Sequence, residues 1–382
     1  MKILYISQYF PPEMGAPASR VSELARHWVK AGHEVTVLTG FPNHPTGKIH
    51  PDYRSCFWKL ISKESWAKVH VVRTWLLPLP NRRAWERMAN YLSFLFSAAF
   101  TGSFLQKPDV VIATSPQLFV GLAGYWVSRV KRIPLVFEIR DLWPESITAS
   151  GMGKNAGLAL RVLAWTAEFL YRKADRIVVV TPAFRRELIE KHSVDPEKIS
   201  IVLNGVETAL FDGREEEGKR FRAKLGLDGA FVVSYIGTLG MAHGLETLLG
   251  TAGLIQDEEP SVRFLLVGAG AERAKLENLA RERKLENVVF SGPFSRDKIP
   301  EVIAASDVCT VLLRKTDVFK TVIPTKMLEF MAVGRPVILG VEGQAKEILD
   351  AAGGGIAVEP ENVKDLAAAV LKLFSDRSAG EQ

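Results

Sequence analysis

FVVSYIG, Phe231–Gly237, decides the fold: it is a β-branched, largely apolar run ending on glycine, and it starts a pattern for the second time. Runs of the same kind precede it at KILYIS (Lys2–Ser7), EVTVLT (Glu34–Thr39), VHVVRT (Val69–Thr74), DVVIAT (Asp109–Thr114), PLVFEI (Pro134–Ile139) and RIVVVT (Arg176–Thr181). Helical patterns alternate with them. In ASRVSELARHWVKAG (Ala18–Gly32), Val21, Leu24, Ala25 and Trp28 share one face and Gly32 closes the end. The charged stretch NGVETALFDGREEEGKR (Asn204–Arg220) breaks the alternation, which resumes at FVVSYIG and continues through VRFLLVG, NVVFSG, DVCTVLL and RPVILG. Strands alternating with helices predict a parallel, doubly wound sheet, and a second series predicts a second one. The expected architecture is α/β, two Rossmann-like domains over residues 1–205 and 206–382 facing a central cleft.

The 382 residues, 47% of them hydrophobic, can fill two cores. Two distant cysteines, Cys56 and Cys309, make neither a disulfide framework nor a metal motif and suit a reducing cytoplasm. MKILYISQYFPP reads as a buried first strand rather than a signal peptide. YLSFLFSAAFTGSFL (Tyr91–Leu105) is shorter than the ~20 residues of a bilayer span and reads as a buried core helix. The net charge of +6 is unevenly shared. Met1–Gly205 holds 27 Lys and Arg against 16 Asp and Glu, leaving 22 against 27 for the remainder. A basic amino-terminal half suits an anionic membrane or a polyphosphate, and NRRAWER (Asn81–Arg87) sets Trp85 among Arg82, Arg83 and Arg87. No zinc-finger spacing, basic heptad region or aromatic RNA-binding signature is present, so a nucleic-acid partner is not expected.

Parallel sheets bind ligands beyond the carboxyl ends of their strands. After the first strand, SQYFPPEMGAPASR places Gly15 and Ala16 just before a helix, where backbone N–H groups can approach a phosphate or sugar; a tight turn explains Gly15 equally well. After the fifth, EIRDLWPES concentrates Glu138, Arg140, Asp141 and Glu145. LLVGAGAER lacks the third glycine of a dinucleotide fingerprint, leaving Gly268 and Gly270 as a turn near a nucleotide base. No D-x-D pair and no histidine pair at helical spacing exists, so neither a metal nor a cofactor is expected. In FKTVIPTKMLEFMAVGRPVI (Phe319–Ile338), Lys326 falls in the first turn of a helix, the end that favours anions. A solvated lysine is the plain reading; a lysine held there for a bound anion is the other.

Taken in order, GAPASR, GHEVTVLTG, RDLWPES, NGVE, YIGTLGMAHGLETLL and PTKMLEFMAVGRPVI resemble the GT-B fold, retaining glycosyltransferases of family four over most of the chain. The chain looks closest to the branch that adds N-acetylated amino sugars such as fucosamine in bacterial surface polysaccharide assembly. The resemblance implies transfer, without a metal, from a nucleotide diphosphate sugar, with UDP as the nucleotide, to a lipid-linked saccharide or polyprenyl diphosphate. The protein would be cytoplasmic and peripheral at the inner face of the plasma membrane. It implies donor contacts from Gly15, Ala16, Gly237, Thr238, His243, Arg314, Lys320, Lys326 and Glu329, with Glu329 on the ribose and Lys326 on the diphosphate. Asp141, Arg140 and Lys326 would serve catalysis, and Glu138 and Glu145 would face the acceptor. The chain departs from the pattern where Thr238 and His243 replace an arginine and a lysine and Thr321 replaces a glutamate; Arg314, Lys320 and Lys326 are the nearest substitute cations. It stops at Gln382 without the family's long final crossover helix, which implies a truncated chain or lobes held differently. A nucleotide-sugar 2-epimerase and a non-catalytic partner of a transferase are the competing expectations.

Overall fold

The computed structural model describes residues 1–13, 15–44, 46–80, 83–143 and 157–376. The chain divides into two compact units, Met1–Leu203 and Asn204–Gln382. In the first, β1 (Lys2–Ile6), β2 (Glu34–Gly40), β3 (Ile61–Trp66), β4 (Val69–Thr74), β5 (Val110–Thr114), β6 (Leu135–Ile139), β7 (Arg176–Val179) and β8 (Ile199–Ile201) form one sheet. Its order is β3-β4-β2-β1-β5-β6-β7-β8, parallel throughout except for the β3–β4 hairpin. The order reverses between β1 and β5, so their carboxyl ends diverge at a switch point where residues 7–13 and 115–118 emerge. In the second unit, β9 (Phe231–Ile236), β10 (Val262–Val267), β11 (Val288–Gly292), β12 (Val308–Leu312), β13 (Val337–Gly340) and β14 (Gly355–Ala357) run in the order β11-β10-β9-β12-β13-β14, and the switch point lies between β9 and β12.

Every run predicted as a strand forms one. The central strands are buried on both faces, which is why they read as unbroken apolar runs. The β3 edge strand, ISKESW, has no buried residue and carries Lys63 and Glu64. It closes on β4 through Ala67 and Lys68, both at positive φ, as a two-residue hairpin demands.

The expected core helix is corrected. The helix Ala84–Phe104 is not a buried core helix: Phe94, Ala98, Thr101 and Gly102 face inward, while Phe96, Phe100 and Phe104, spaced i, i+4, i+8, are exposed. Gly102 is needed because a Cβ there would lie 2.6 Å from Val127 on the neighbouring helix Phe119–Lys131.

Candidate functional site

In the second unit the site is assembled at the switch point. β9 ends at Tyr235 and Ile236 and turns at Gly237, whose φ of +147° few other residues adopt. Here glycine is required by close backbone approach. A Cβ on Gly268 would stand 1.9 Å from the Gly237 carbonyl oxygen, and one on Gly270 would stand 2.2 Å from that of Leu239. The loops after β9 and β10 are laced together by Leu239 N–H to Ala269 O (3.0 Å) and Glu272 N–H to Leu239 O (3.0 Å). Gly268 and Gly270 form the expected turn, and this close backbone packing is what requires glycine at both positions.

Beneath Gly237 lies Lys326, second residue of the helix Thr325–Ala332, with Pro324 as its N-cap. Its Nζ is 3.9 Å from the centroid of the Tyr235 ring, and a Cβ on Gly237 would be 3.5 Å from it. The ammonium is buried without a hydrogen-bond partner, and that burial lowers its pKa to about 7 against the pull of Glu329. The ring face compensates only part of the lost hydration. One turn on, Glu329 is buried and pairs with Arg296 on the loop after β11, Nη2 to Oε1 2.7 Å. Arg296 and Tyr235 carry no signal of their own in the sequence, because strands far apart in the chain bring them to the helix.

The other predicted cations are already neutralised. Arg314 pairs with Glu361 (3.0 Å) and Glu246 (3.7 Å), and Lys320 with Asp317 (2.8 Å) and Glu342 (3.5 Å). His243 is no substitute for a lysine. Burial, with the Lys326 charge beside it, lowers its pKa to about 3, so the ring is neutral, and its Nδ1 faces the Leu312 carbonyl at 3.3 Å. Thr238 is exposed at the turn, while its carbonyl accepts the Tyr235 hydroxyl at 2.8 Å. Thr321 closes a 3-10 turn by donating to the Val318 carbonyl. Of the three substitute cations, Lys326 alone has neither an ion-pair nor a hydrogen-bond partner, and it sits at a helix N-terminus, the end that favours an anion.

In the first unit Gly15, Ala16, Arg140 and Asp141 come together. Gly15 caps the helix Ala16–Lys30 at φ +123°. Arg140 donates to the carbonyls of Ala16 (3.1 Å) and Pro17 (3.5 Å), and the backbone N–H groups of Arg140 and Asp141 share the Ser115 hydroxyl. Burial raises the Asp141 carboxyl to about 6 in spite of Arg140. Glu138 is corrected from an acceptor-facing residue to an internal strut. Its two oxygens receive Arg20 twice (2.8 and 3.0 Å), the Tyr5 hydroxyl (2.7 Å) and the Thr114 hydroxyl (2.6 Å), which leaves nothing for a substrate. Arg20 also reaches the carbonyls of Val202 and Leu203, tying the first strand's helix to the end of the unit. Glu145 lies outside the described residues.

Comparison with known proteins gives this geometry a family. Residues 15–205 match the glycosyl transferase 4-like domain and residues 230–376 match the glycosyl transferases group 1 domain. WcaI of Escherichia coli K12, a glycosyl transferase named for colanic acid biosynthesis, is 27% identical over 97% of this chain and 91% of its own. Anabaena HepE, solved in complex with UDP-glucose, superposes with a TM-score of 0.73 at 20% identity over 100% of this chain and 92% of its own. WaaG, a glycosyltransferase involved in lipopolysaccharide biosynthesis, superposes at 0.69 and 15% identity over 99% and 92%. The two matched domains together span nearly the whole chain, and on that ground the protein belongs to the group 1, family four-like glycosyltransferases of GT-B fold.

Proposed function

We propose that the protein is a retaining, metal-independent glycosyltransferase that moves a sugar, read as an N-acetylated hexosamine, from UDP to a lipid-linked acceptor in surface polysaccharide assembly. The observation that carries this reading is Lys326: a buried, unpartnered ammonium at a helix N-terminus, one turn before a carboxylate held in place by Arg296. A diphosphate supplies the missing anion, and a ribose diol would suit Glu329, whose Oε1 takes Arg296. The names of the relatives, with their UDP and polysaccharide chemistry, support the same assignment.

In this reading the departing diphosphate gathers negative charge as the glycosidic bond breaks, and Lys326 together with the helix N-terminus stabilises that charge most in the transition state. The leaving phosphate takes the acceptor hydroxyl proton on the same face of the sugar, so the protein chiefly positions both substrates. Gly15 and Ala16 approach the donor. Arg140, anchored on the Ala16 carbonyl, and Asp141 hold the reacting groups.

A membrane address fits the exposed aromatics of the first unit. Phe100 packs against Phe104 with the rings tilted (4.9 Å), Trp126 donates to Ser103, and Tyr125 meets Phe169, which stacks on Trp165. We read these contacts on the helices Ala84–Phe104, Phe119–Lys131 and Gly157–Lys173 as one aromatic ridge, with Arg129 over the Tyr125 ring at 5.1 Å. Aromatic rings beside cations suit an anionic leaflet, and peripheral attachment is the form this takes, since no helix among the described residues is long and apolar enough to cross a membrane. Trp85 is exposed as well; Arg82 lies outside the described residues.

Incubation with UDP-sugars tests the reading: slow hydrolysis of the donor, stimulated by a lipid-linked acceptor and equal with and without EDTA, is expected. An epimerised product, no turnover, or a rate that collapses with chelator and returns with magnesium would overturn it.

A further inference from the structure

At the amino-terminal edge of the first sheet, opposite the ends that carry Gly15 and Arg140, one face of four strands is only half covered. Lys2 lies beside Glu34, Leu4 beside Thr36, Thr36 beside His70, and Val72 beside Lys63. Strand residues two apart share a face, so all of these side chains project from the same side of the sheet. Phe94 and Ala98 of the helix Ala84–Phe104 pack with Leu4 and Val72, which are buried. The helix stops at Phe104, and residues 105–108 wall off a cavity of about 370 Å³ over the polar remainder of the face.

The lining is cationic. Three lysines, Lys2, Lys63 and Lys107, stand there against one acid, Glu34, and His70 joins them from β4. His70 and Lys107 are exposed and Lys63 is half-buried, so all three can be reached from outside. Among the described residues, none of these three side chains has a hydrogen-bond or ion-pair partner. The carboxylates of this edge are taken by Lys2: Glu34 pairs with its ammonium at 3.7 Å, and Asp109 accepts its backbone N–H at 2.7 Å. Lys131 pins the wall by donating to the carbonyls of Ser103 (3.0 Å) and Leu105 (2.6 Å). Burial, and then the positive charge of Lys107 beside it, lower the Lys131 pKa. Cations are crowded at this end of the unit and lack an anion.

Two plain readings fall short of this arrangement. A lysine on an edge strand guards the strand against further pairing, which accounts for Lys63 on β3 but not for Lys107 on a loop. A merely solvated face needs no wall, whereas here Lys131 fixes one.

The occupant follows from what adjoins the cavity. Phe104, 76% exposed, directly precedes the wall and packs against Phe100 of the aromatic ridge, and Trp126 donates to Ser103 one residue earlier. Rings beside ammonium groups suit a leaflet surface, where the rings enter the acyl layer and the cations meet phosphate. We propose that this cavity holds the phosphate of an anionic phospholipid headgroup, with Lys63 and Lys107 as charge-assisted donors and His70 as a further N–H donor. The inference rests on the membrane reading and deepens it, turning a diffuse attraction into a headgroup site at a stated place.

Two measurements on the full chain test it. In NMR, the ring resonances of His70, assigned by their loss in His70→Gln, should shift with dihexanoyl-phosphatidylglycerol kept below its micelle concentration. Dihexanoyl-phosphatidylcholine and inorganic phosphate should each bind about tenfold more weakly or less, the first for want of net charge and the second for want of acyl chains beside Phe104. In sedimentation with phosphatidylglycerol vesicles, Lys63→Gln combined with Lys107→Gln should bind about tenfold more weakly than wild type or worse. Lys224→Gln combined with Lys284→Gln removes the same charge from exposed positions of the second unit and should change binding by roughly threefold at most. UDP affinity should be unchanged in both double variants. The site is overturned by a His70 ring that ignores the anionic short-chain lipid or answers phosphatidylcholine equally. It is overturned too by inorganic phosphate binding as tightly as the lipid, which would mark a site for a free phosphate compound, or by vesicle binding that the two double variants weaken equally or not at all. Wild type that sediments with no anionic vesicle would instead strike the membrane reading, and the short-chain lipid would then judge the cavity alone.

Discussion

The ammonium of Lys326 lies 3.9 Å from the centroid of the Tyr235 ring and has no hydrogen-bond partner. With its pKa lowered to about 7, it is largely neutral at pH 8, and a bound diphosphate would draw it back toward full charge. Binding of UDP at pH 8 should therefore take up close to one proton. Calorimetry in two buffers of different ionisation enthalpy reads that number directly, and a value of zero at pH 8 would detach Lys326 from the nucleotide. The sign also governs stability. A lysine depressed in the fold and normal in the unfolded chain contributes its full share above about pH 10.4 and loses it as the pH falls through 7. The thermal midpoint of Lys326→Met should thus gain on wild type between pH 10 and pH 7.

Glu329 and Arg296 are coupled by the 2.7 Å pair, and they should be separable by mutation. Glu329→Ala should cost about 1.5–3 kcal/mol of binding for UDP and uridine alike, the range for hydrogen bonds to a charged group, because the ribose is common to both. Arg296→Gln should cost less, about 1 kcal/mol or below, since Arg296 is 40% exposed and its pair is partly screened. Isothermal titration of the two ligands on both variants checks this, and undiminished affinity in Glu329→Ala would remove the ribose assignment.

The fold was legible wherever a strand is buried on both faces, because unbroken β-branched runs such as FVVSYIG have few other uses. The β3 edge escaped notice since its solvent-facing residues, Lys63 and Glu64 among them, look like a loop, and β14 is only three residues long. Site residues close in sequence, such as Lys326 with Glu329 and Arg140 with Asp141, could be seen as pairs. Arg296 and Tyr235 could not, since their meaning comes from what other strands bring beside them. Conversely, Arg314 reads as a free cation because its carboxylate, Glu361, is remote in the chain, whereas the Asp317 partner of Lys320 lies only three residues before it.

The aromatic ridge predicts membrane behaviour. Vesicles containing anionic lipid should sediment the protein, with binding that weakens in salt because each basic residue near the surface contributes about 1 kcal/mol. Phe100→Ser combined with Trp165→Ser should weaken that binding while leaving UDP affinity intact. Equal partitioning onto neutral and anionic vesicles would dismiss the electrostatic part; unchanged binding of the double variant would dismiss the ridge.

The central claim, that Lys326 is set in place for a diphosphate, is tested most directly by comparing UDP with uridine on Lys326→Met by isothermal titration. The variant keeps the length of the stem and removes a buried unpaired cation, so it should melt at or above the wild-type temperature. Its affinity for uridine should match the parent, while its affinity for UDP should fall by about 1.5–3 kcal/mol, the range for a hydrogen bond to a charged group. A variant that melts early yet binds UDP as tightly as wild type would contradict the account and make Lys326 a structural residue.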